Sequence, residues 1–271
     1  MPAPLIRSLR RCRIIARYGV GVDTIDLDAA SAAGIMVTNV PDYCVQEVSD
    51  HALALILTLA RGIGRAMLST RQGAWDLGAV RPLRRLEGQT LALLGFGRMG
   101  RAVAEKARPL GFRIIAYDPY LPADVIRKSG AEPVDLDTAL GEADYLSVHV
   151  PLSDETRHLI DSAALERMKP TAYLVNTSRG GIVDTEALVE ALQAGKLAGA
   201  ALDVLEQEPP PADLELLQMP NVILTPHTAF YSEESLIELQ TKAAEEVVSV
   251  ISGKAPRNPV NPEVLQGQGT R

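Results

Sequence analysis

A glycine-rich turn between a strand and a helix most constrains how this chain of 271 residues can fold. The apolar residues 91–94 precede Gly95-Phe96-Gly97-Arg98-Met99-Gly100, and apolar residues at helical spacing follow over 101–110. A second apolar run, 112–117, ends on Asp118. A strand, a glycine-rich turn, a helix and a strand that ends in an acid form the unit that binds dinucleotides. Glycine-rich turns often serve packing alone, but this context favours nucleotide binding.

Each part of this unit has a chemical reason. Gly95, Gly97 and Gly100 allow a tight turn and a close approach of the backbone to a pyrophosphate. The start of the following helix offers unpaired N–H groups and the positive end of the helix dipole. Asp118 would accept hydrogen bonds from the adenosine ribose and would repel the 2′-phosphate of NADP, which predicts NAD as the cofactor. Arg98 leaves NADP as a second possibility.

Composition and charge argue against several other classes of protein. The net charge is −7 and the basic tract is confined to arginines in residues 7–13, which predicts no nucleic-acid partner. Two cysteines without a CxxC motif or a Cys/His cluster predict a reducing compartment and no metal site. The apolar stretch 52–60 is too short to span a bilayer. We therefore expect a cytoplasmic protein without a membrane partner, and we favour a solvated helix over a transit peptide for the N-terminal arginines.

Predicted strands and helices alternate along the chain. The strands are predicted at 13–18, 35–40, 91–94, 112–117, 145–150, 172–176, 198–204 and 221–226. The helices are predicted at 27–33, 45–67, 101–110 and 185–193, with a last helix between Ser232 and Gly253. This alternation predicts an α/β fold with a Rossmann-type, doubly wound parallel sheet. Ligands of such sheets lie beyond the carboxyl ends of the strands, where this chain places Asp118, His149, Asn176, Arg179, Asp203 and His227.

An ordered series of motifs makes the chain recognisable. They are Tyr18-Gly19-Val20-Gly21-Val22-Asp23, Asn39-Val40-Pro41, the glycine turn at 95–100, His149-Val150-Pro151-Leu152, Asn176-Thr177-Ser178-Arg179-Gly180, Asp203-Val204 with Glu208-Pro209, and Pro226-His227. With these motifs, the chain resembles the D-isomer-specific 2-hydroxyacid dehydrogenase family, which includes phosphoglycerate dehydrogenase, over about residues 13–260. Segments 42–47 and 227–232 look most like the branch of the C-terminal binding protein corepressors.

Three side chains suit the oxidation of a 2-hydroxy acid to a 2-keto acid. Histidine as a residue type suits the removal of the hydroxyl proton near neutral pH, and His227 is the candidate base. Glu208 would orient its ring and favour the imidazolium that forms. Arg179 offers a planar, permanently charged fork to the substrate carboxylate and the reacting oxygen. The resemblance implies the same three catalytic residues. For each of them taken alone, a structural role is favoured, and it is the ordered motif set that favours catalysis.

The resemblance also implies where NAD and the substrate bind. It assigns cofactor contacts to Gly95, Gly97, Arg98, Met99, Gly100, Asp118, Val150, Thr156, Thr177, Ser178, Arg179, Asp203 and His227. Asp203 would accept a hydrogen bond from the nicotinamide carboxamide, or it would merely close a strand. The N–H groups of Val20 and Gly21 would bind the substrate carboxylate. For His149, a structural role near the cofactor is favoured.

The resemblance further implies a substrate domain that is split by the cofactor domain. We expect a partial, flavodoxin-like substrate domain at 1–41 and 229–271 and the NAD-binding domain at 42–228. Only two strands precede the helix predicted at 45–67, so we expect an N-terminally truncated member of the family. The apolar surface of that helix predicts a homodimer. Two alternatives stay open: an NADH-sensing, corepressor-like interaction protein and an inactive truncated fragment.

Overall fold

The computed structural model describes residues 1–266 and divides the chain into two compact units. The first unit is formed by Met1–Cys44 together with the chain from Tyr231 onward, and the second unit is Val45–Phe230. The second unit is therefore a continuous insertion within the first. Its ends lie close to the boundaries expected at residues 41 and 228.

Strands and α-helices alternate along the described residues. The strands are β1 (Ile14–Ala16), β2 (Met36–Thr38), β3 (Thr90–Leu94), β4 (Arg113–Tyr117), β5 (Glu132–Pro133), β6 (Tyr145–Val148), β7 (Tyr173–Asn176), β8 (Gly199–Leu202) and β9 (Val222–Leu224). The α-helices are α1 (Ala3–Ser8), α2 (Leu27–Ala32), α3 (Val45–Ala60), α4 (Ile63–Arg71), α5 (Arg98–Ala107), α6 (Ala123–Lys128), α7 (Leu136–Glu142), α8 (Ser162–Arg167), α9 (Thr185–Gln193), α10 (Glu233–Ile251) and α11 (Glu263–Gln266).

A seven-stranded parallel sheet forms the frame of the second unit. Its strand order is β5-β4-β3-β6-β7-β8-β9, and every neighbouring pair is parallel. Side chains alternate between the two faces, so Leu91 and Leu93 enter one apolar core while Ala92 and Leu94 enter the other. Both faces are covered, which explains the uninterrupted apolar strands. The chain reverses its direction of winding between β3 and β6, where ligands bind in such sheets. The predicted Rossmann-type, doubly wound fold is confirmed.

The helix predicted at 45–67 is wrong as a single element. Helices α3 and α4 meet at an angle of 63° because the chain breaks at Gly62, whose φ is +60°. This left-handed conformation cannot continue an α-helix, and glycine adopts it without steric cost. No single described helix is long and apolar enough to cross a membrane. Helices α3 and α4 pass that test only as a bent pair, and α3 buries its apolar face in the core of the second unit.

The first unit has a small core around two strands. Ile14 of β1 pairs with Met36 of β2 in a parallel ladder. On the other edge of β2, the buried amide of Asn261 accepts a hydrogen bond from the N–H of Val37 (2.7 Å) and donates one to the carbonyl of Ile35 (2.9 Å). A side chain near the C-terminus thus satisfies backbone groups that a further strand would otherwise pair.

Candidate active site

The three glycines of the 95–100 turn have different structural roles. Gly95 has a φ of +88°, and a Cβ there would lie 2.8 Å from the backbone nitrogen of Val150. A Cβ on Gly100 would lie 2.2 Å from the carbonyl oxygen of Gly95. A Cβ on Gly97, by contrast, would meet no atom within 4 Å. The fold itself requires Gly95 and Gly100, whereas Gly97 leaves open space beside the start of α5.

This open space suits the pyrophosphate of a dinucleotide. Gly97 is the N-cap of α5 and has no side chain to occupy the first N–H groups of the helix. Those groups and the helix dipole favour an anion. Thr177 is the residue directly after β7. Its hydroxyl is buried and has no hydrogen-bond partner among the described residues. An open anion site after β3 and an unsatisfied buried hydroxyl after β7 both lie at the carboxyl ends of the strands, and together they fit an NAD-type ligand.

Asp118 is fixed beside the glycine turn. Its Oδ2 accepts a hydrogen bond from the N–H of Phe96 (2.9 Å), and its Oδ1 accepts one from the N–H of Tyr120 (3.0 Å). The carboxylate therefore has a set position after β4, as a ribose acceptor requires. Its contact with the ribose stays a prediction.

His227 and Glu208 are in direct contact. His227 Nδ1 lies 2.7 Å from Glu208 Oε2, and Glu208 Oε1 accepts a hydrogen bond from the N–H of Leu205 (2.9 Å). Both side chains are about two-fifths exposed, at 42% and 38%. Because Nδ1 faces the carboxylate, Nε2 is the nitrogen left to exchange a proton with a substrate. The geometry is that of an acid/base histidine oriented by a carboxylate.

The turn that carries His227 is held by the buried Asp203. The Asp203 side chain is 1% exposed, and its Oδ1 accepts hydrogen bonds from the Thr225 hydroxyl (2.5 Å) and the N–H of Thr228 (2.9 Å). Its backbone carbonyl accepts from the N–H of His227 (2.8 Å), a residue with a φ of +53°. These bonds identify Asp203 as a residue that shapes the turn. The hydrogen bond that the sequence predicts between Asp203 and the nicotinamide carboxamide stays a prediction.

His51 of α3 belongs to the same network, and the sequence reasoning missed it. Its Nε2 lies 3.0 Å from the Thr225 hydroxyl, which in turn donates to Asp203. No sequence signal would have shown this, since the two partners are 174 residues apart.

Arg179 leaves β7 in a tight loop. The buried Asn176 donates a hydrogen bond to the carbonyl of Arg179 (2.9 Å) and accepts one from the N–H of Ser178 (3.0 Å). A Cβ on Gly180 would lie 1.9 Å from the carbonyl carbon of Leu205. The loop that carries Arg179 therefore packs backbone to backbone against the loop that leads to Glu208.

Several predicted contact residues have structural partners of their own. The Thr156 hydroxyl donates to the carbonyl of Pro151 (2.6 Å), and Val150 is buried. His149 Nε2 lies 2.9 Å from the Ser147 hydroxyl. Burial lowers the pKa of His149 to about 4, so the ring is neutral at pH 7. This agrees with the structural role favoured for His149.

The remaining predicted residues lie in α5 and in the first unit. Arg98 and Met99 form the first turn of α5. Val20 and Gly21 lie in the first unit. The carbonyl of Val20 accepts a hydrogen bond from the side chain of Asn39, and the carbonyl of Gly21 accepts one from the guanidinium of Arg17. The substrate-binding role expected for the N–H groups of Val20 and Gly21 stays a prediction.

Comparison with known proteins decides the family. Residues 53–229 match the sequence model described as "D-isomer specific 2-hydroxyacid dehydrogenase, NAD binding domain". The chain belongs to this family. As a 2-hydroxyacid dehydrogenase it is an NAD-dependent oxidoreductase, which confirms the resemblance and the cofactor expected from the sequence.

Two curated relatives and one solved structure illustrate the likeness. Glyoxylate reductase from Korarchaeum cryptofilum is 42% identical over 268 residues, which span 97% of this chain and 80% of that protein. D-3-phosphoglycerate dehydrogenase from Archaeoglobus fulgidus is 41% identical over 96% of this chain, which spans only 49% of that protein. The structure of D-lactate dehydrogenase from Aquifex aeolicus, complexed with NAD and lactic acid, has a TM-score of 0.86 and 33% identity, covering 98% of this chain and 82% of that one.

Proposed function

We propose that this dehydrogenase interconverts a short D-2-hydroxy acid and the corresponding 2-keto acid. The observation that carries the proposal is the contact of 2.7 Å between His227 Nδ1 and Glu208 Oε2, on the loops that follow neighbouring strands β8 and β9. Relatives named glyoxylate reductase and hydroxypyruvate reductase support a short 2-keto acid as the substrate class.

The residues of the second unit divide the chemistry between them. In the oxidation direction, His227 Nε2 takes the hydroxyl proton, and Glu208 stabilises the imidazolium that results. Arg179 holds the substrate carboxylate and polarises the reacting oxygen. The glycine turn at 95–100 and Asp118 would hold NAD, which would supply the acceptor for the hydride of the carbinol carbon. In the reduction direction, His227 returns its proton to the oxygen as the alcohol forms.

Steady-state turnover of a panel of 2-keto acids with NADH tests this assignment. Replacing His227 by Ala should lower kcat by about 10² or more and leave the Kd for NADH within twofold, as for a general acid/base. Arg179→Lys should mainly raise KM, because one ammonium cannot make the bidentate contact. A Glu166→Gln variant in α8 is the control for a lost surface carboxylate. Unchanged kcat in the His227 variant would remove the mechanism, and binding of NADH without turnover of any keto acid would overturn the function.

The relatives named above are enzymes by their descriptions, which favours a dehydrogenase over the corepressor-like alternative. The turnover assay on the full chain also separates an active enzyme from an inactive fragment.

We also propose a two-fold homodimer that forms through α4 and the segment after it. Large apolar side chains stay exposed there, with Trp75 at 94%, Leu77 at 62% and Ile63 at 52%. Large exposed apolar side chains concentrated in one stretch of the chain favour a protein interface there. Light scattering should give a dimer mass for the wild type and a monomer mass for Trp75→Ser, and a monomeric wild type at micromolar concentration would refute the proposal.

Both cysteines are thiols in the described chain, which supports the reducing cytoplasm as its compartment.

A further inference from the structure

A second histidine–carboxylate pair lies outside the catalytic contact. His158 Nε2 is 2.6 Å from Glu206 Oε1, and its Nδ1 is 3.7 Å from Asp184 Oδ2. The backbone of His158 has a φ of +52° and donates its N–H to the carbonyl of Gly181 (2.9 Å). The histidine is thus held by its backbone against the Arg179 loop and by its side chain against the Glu208 loop.

Glu206 is an ionised and doubly held partner. Its second oxygen, Oε2, accepts a hydrogen bond from the N–H of Thr185 in the first turn of α9 (3.0 Å). Burial acts to raise the pKa of Glu206, but the hydrogen bonds from Thr185 and His158 outweigh it and leave the pKa lowered. The carboxylate therefore joins two separate parts of the second unit at neutral pH.

The 205–208 loop transmits this anchoring to the catalytic pair. Glu206 stands two residues before Glu208, which bonds back to the N–H of Leu205 (2.9 Å) and reaches His227. On its other side, the Leu205–Glu206 peptide is packed so closely on Gly180 that a Cβ there would lie 1.9 Å from it. Any displacement of Glu206 would therefore move Glu208.

We propose that His158 and Glu206 are positioning residues for the reaction. In this role they act by holding the 205–208 loop so that Glu208 meets His227, and not by binding substrate or cofactor themselves. This rests on the proposed function of that pair. Because misplacement by about 1 Å costs up to about 10²-fold in rate, loss of the anchor should lower kcat by about tenfold.

The main variant is His158→Asn in the full chain. Asparagine tolerates the left-handed backbone of position 158 but is too short to reach Glu206. We expect kcat to fall about tenfold, with KM for NADH within twofold. Glu206→Gln keeps an acceptor for Thr185 and should restore most of the rate that Glu206→Ala loses. The control is Glu166→Ala, which removes a similar surface pair with Lys196 (2.8 Å) and should leave kcat unchanged.

The same variants in a Glu208→Gln background separate positioning from a general loss of structure. If His158 acts through Glu208, His158→Asn should cost less than twofold there, whereas a structural defect would lower kcat equally in both backgrounds. The ring proton signals of His227 in NMR follow the contact without turnover. They should shift in His158→Asn and Glu206→Ala but not in Glu166→Ala. Additive effects on kcat, or an unshifted His227 signal, would overturn the proposal, whereas an inactive wild type with the expected NMR shifts would count against the proposed function alone.

Discussion

Two glycines of one turn should respond in opposite ways to the same added methyl group. Gly97→Ala places a Cβ in space that holds no atom within 4 Å, whereas Gly100→Ala places it 2.2 Å from the carbonyl oxygen of Gly95. The first change tests a ligand site, and the second tests the packing of the turn. Gly195→Ala is a control for backbone strain alone. A Cβ there also meets no atom within 4 Å, but the residue has a φ of +66°.

The magnitudes follow from these contacts. Gly100→Ala should lower the free energy of unfolding by about 3 kcal/mol, the upper end for an overpacked site, because backbone atoms cannot yield as a side chain would. Gly97→Ala should leave that free energy unchanged or raise it by up to about 1 kcal/mol, since alanine restricts the unfolded chain. If the pyrophosphate fills the space beside Gly97, the methyl group should cost about 2 kcal/mol of NADH binding, a rise in Kd of about 30-fold.

Urea unfolding and fluorescence titration with NADH measure the two quantities on the same samples. Gly195→Ala should lose about 1 kcal/mol of stability from its left-handed backbone and bind NADH as the wild type does. The reasoning fails if Gly97→Ala binds NADH with unchanged affinity, or if it is destabilised as much as Gly100→Ala.

Three further predictions concern Asp118, His149 and Asp203. The wild type should bind NADH at least about tenfold more tightly than NADPH, since about 1.4 kcal/mol of repulsion between Asp118 and the 2′-phosphate suffices. Asp118→Ala should narrow the ratio of the two Kd values, and equal Kd values in wild-type titrations would disprove this. Below pH 6.5 the unfolded chain gains a proton that the half-buried His149, with a pKa of about 4, does not accept, so the free energy of unfolding should fall by about 2 kcal/mol from pH 7 to pH 5. His149→Gln should remove that loss in urea unfolding, and an identical pH dependence would contradict the assignment. Asp203→Asn should cost about 1–3 kcal/mol of stability, because the amide leaves a buried N–H donor of the turn unpaired; a melting curve like that of the wild type would exclude the role of Asp203 in the turn.

The sequence predicted the sheet better than it predicted the helices. All eight predicted strands are present, because each apolar run is bounded by polar or turn residues. The break at Gly62 was missed, since a single glycine within a helical pattern costs only about 1 kcal/mol and does not by itself end a helix. Strand β5, Glu132–Pro133, has neither the length nor the alternation that marks a strand.

The candidate site shows the same division. His227 and Glu208 were predicted from an ordered motif set, and the structure brings them into contact at 2.7 Å. The links that hold them were not predicted, because His51 with Thr225 and His158 with Glu206 join residues 174 and 48 positions apart. Only the folded sheet places such partners together.

The position of β9 in the sheet has a consequence for heat inactivation. β9 has three half-buried residues and is one of the two edge strands, whereas its neighbour β8 is buried throughout. Edge segments open with less free energy than the whole domain requires, so fraying of β9 would detach His227 while Glu208, after β8, stays in place. Enzyme activity should therefore disappear a few degrees below the global melting transition, and the amides of β9 should exchange with solvent before those of β8. The acid/base residue thus follows an exposed edge of the sheet, whereas its carboxylate partner follows a fully buried strand.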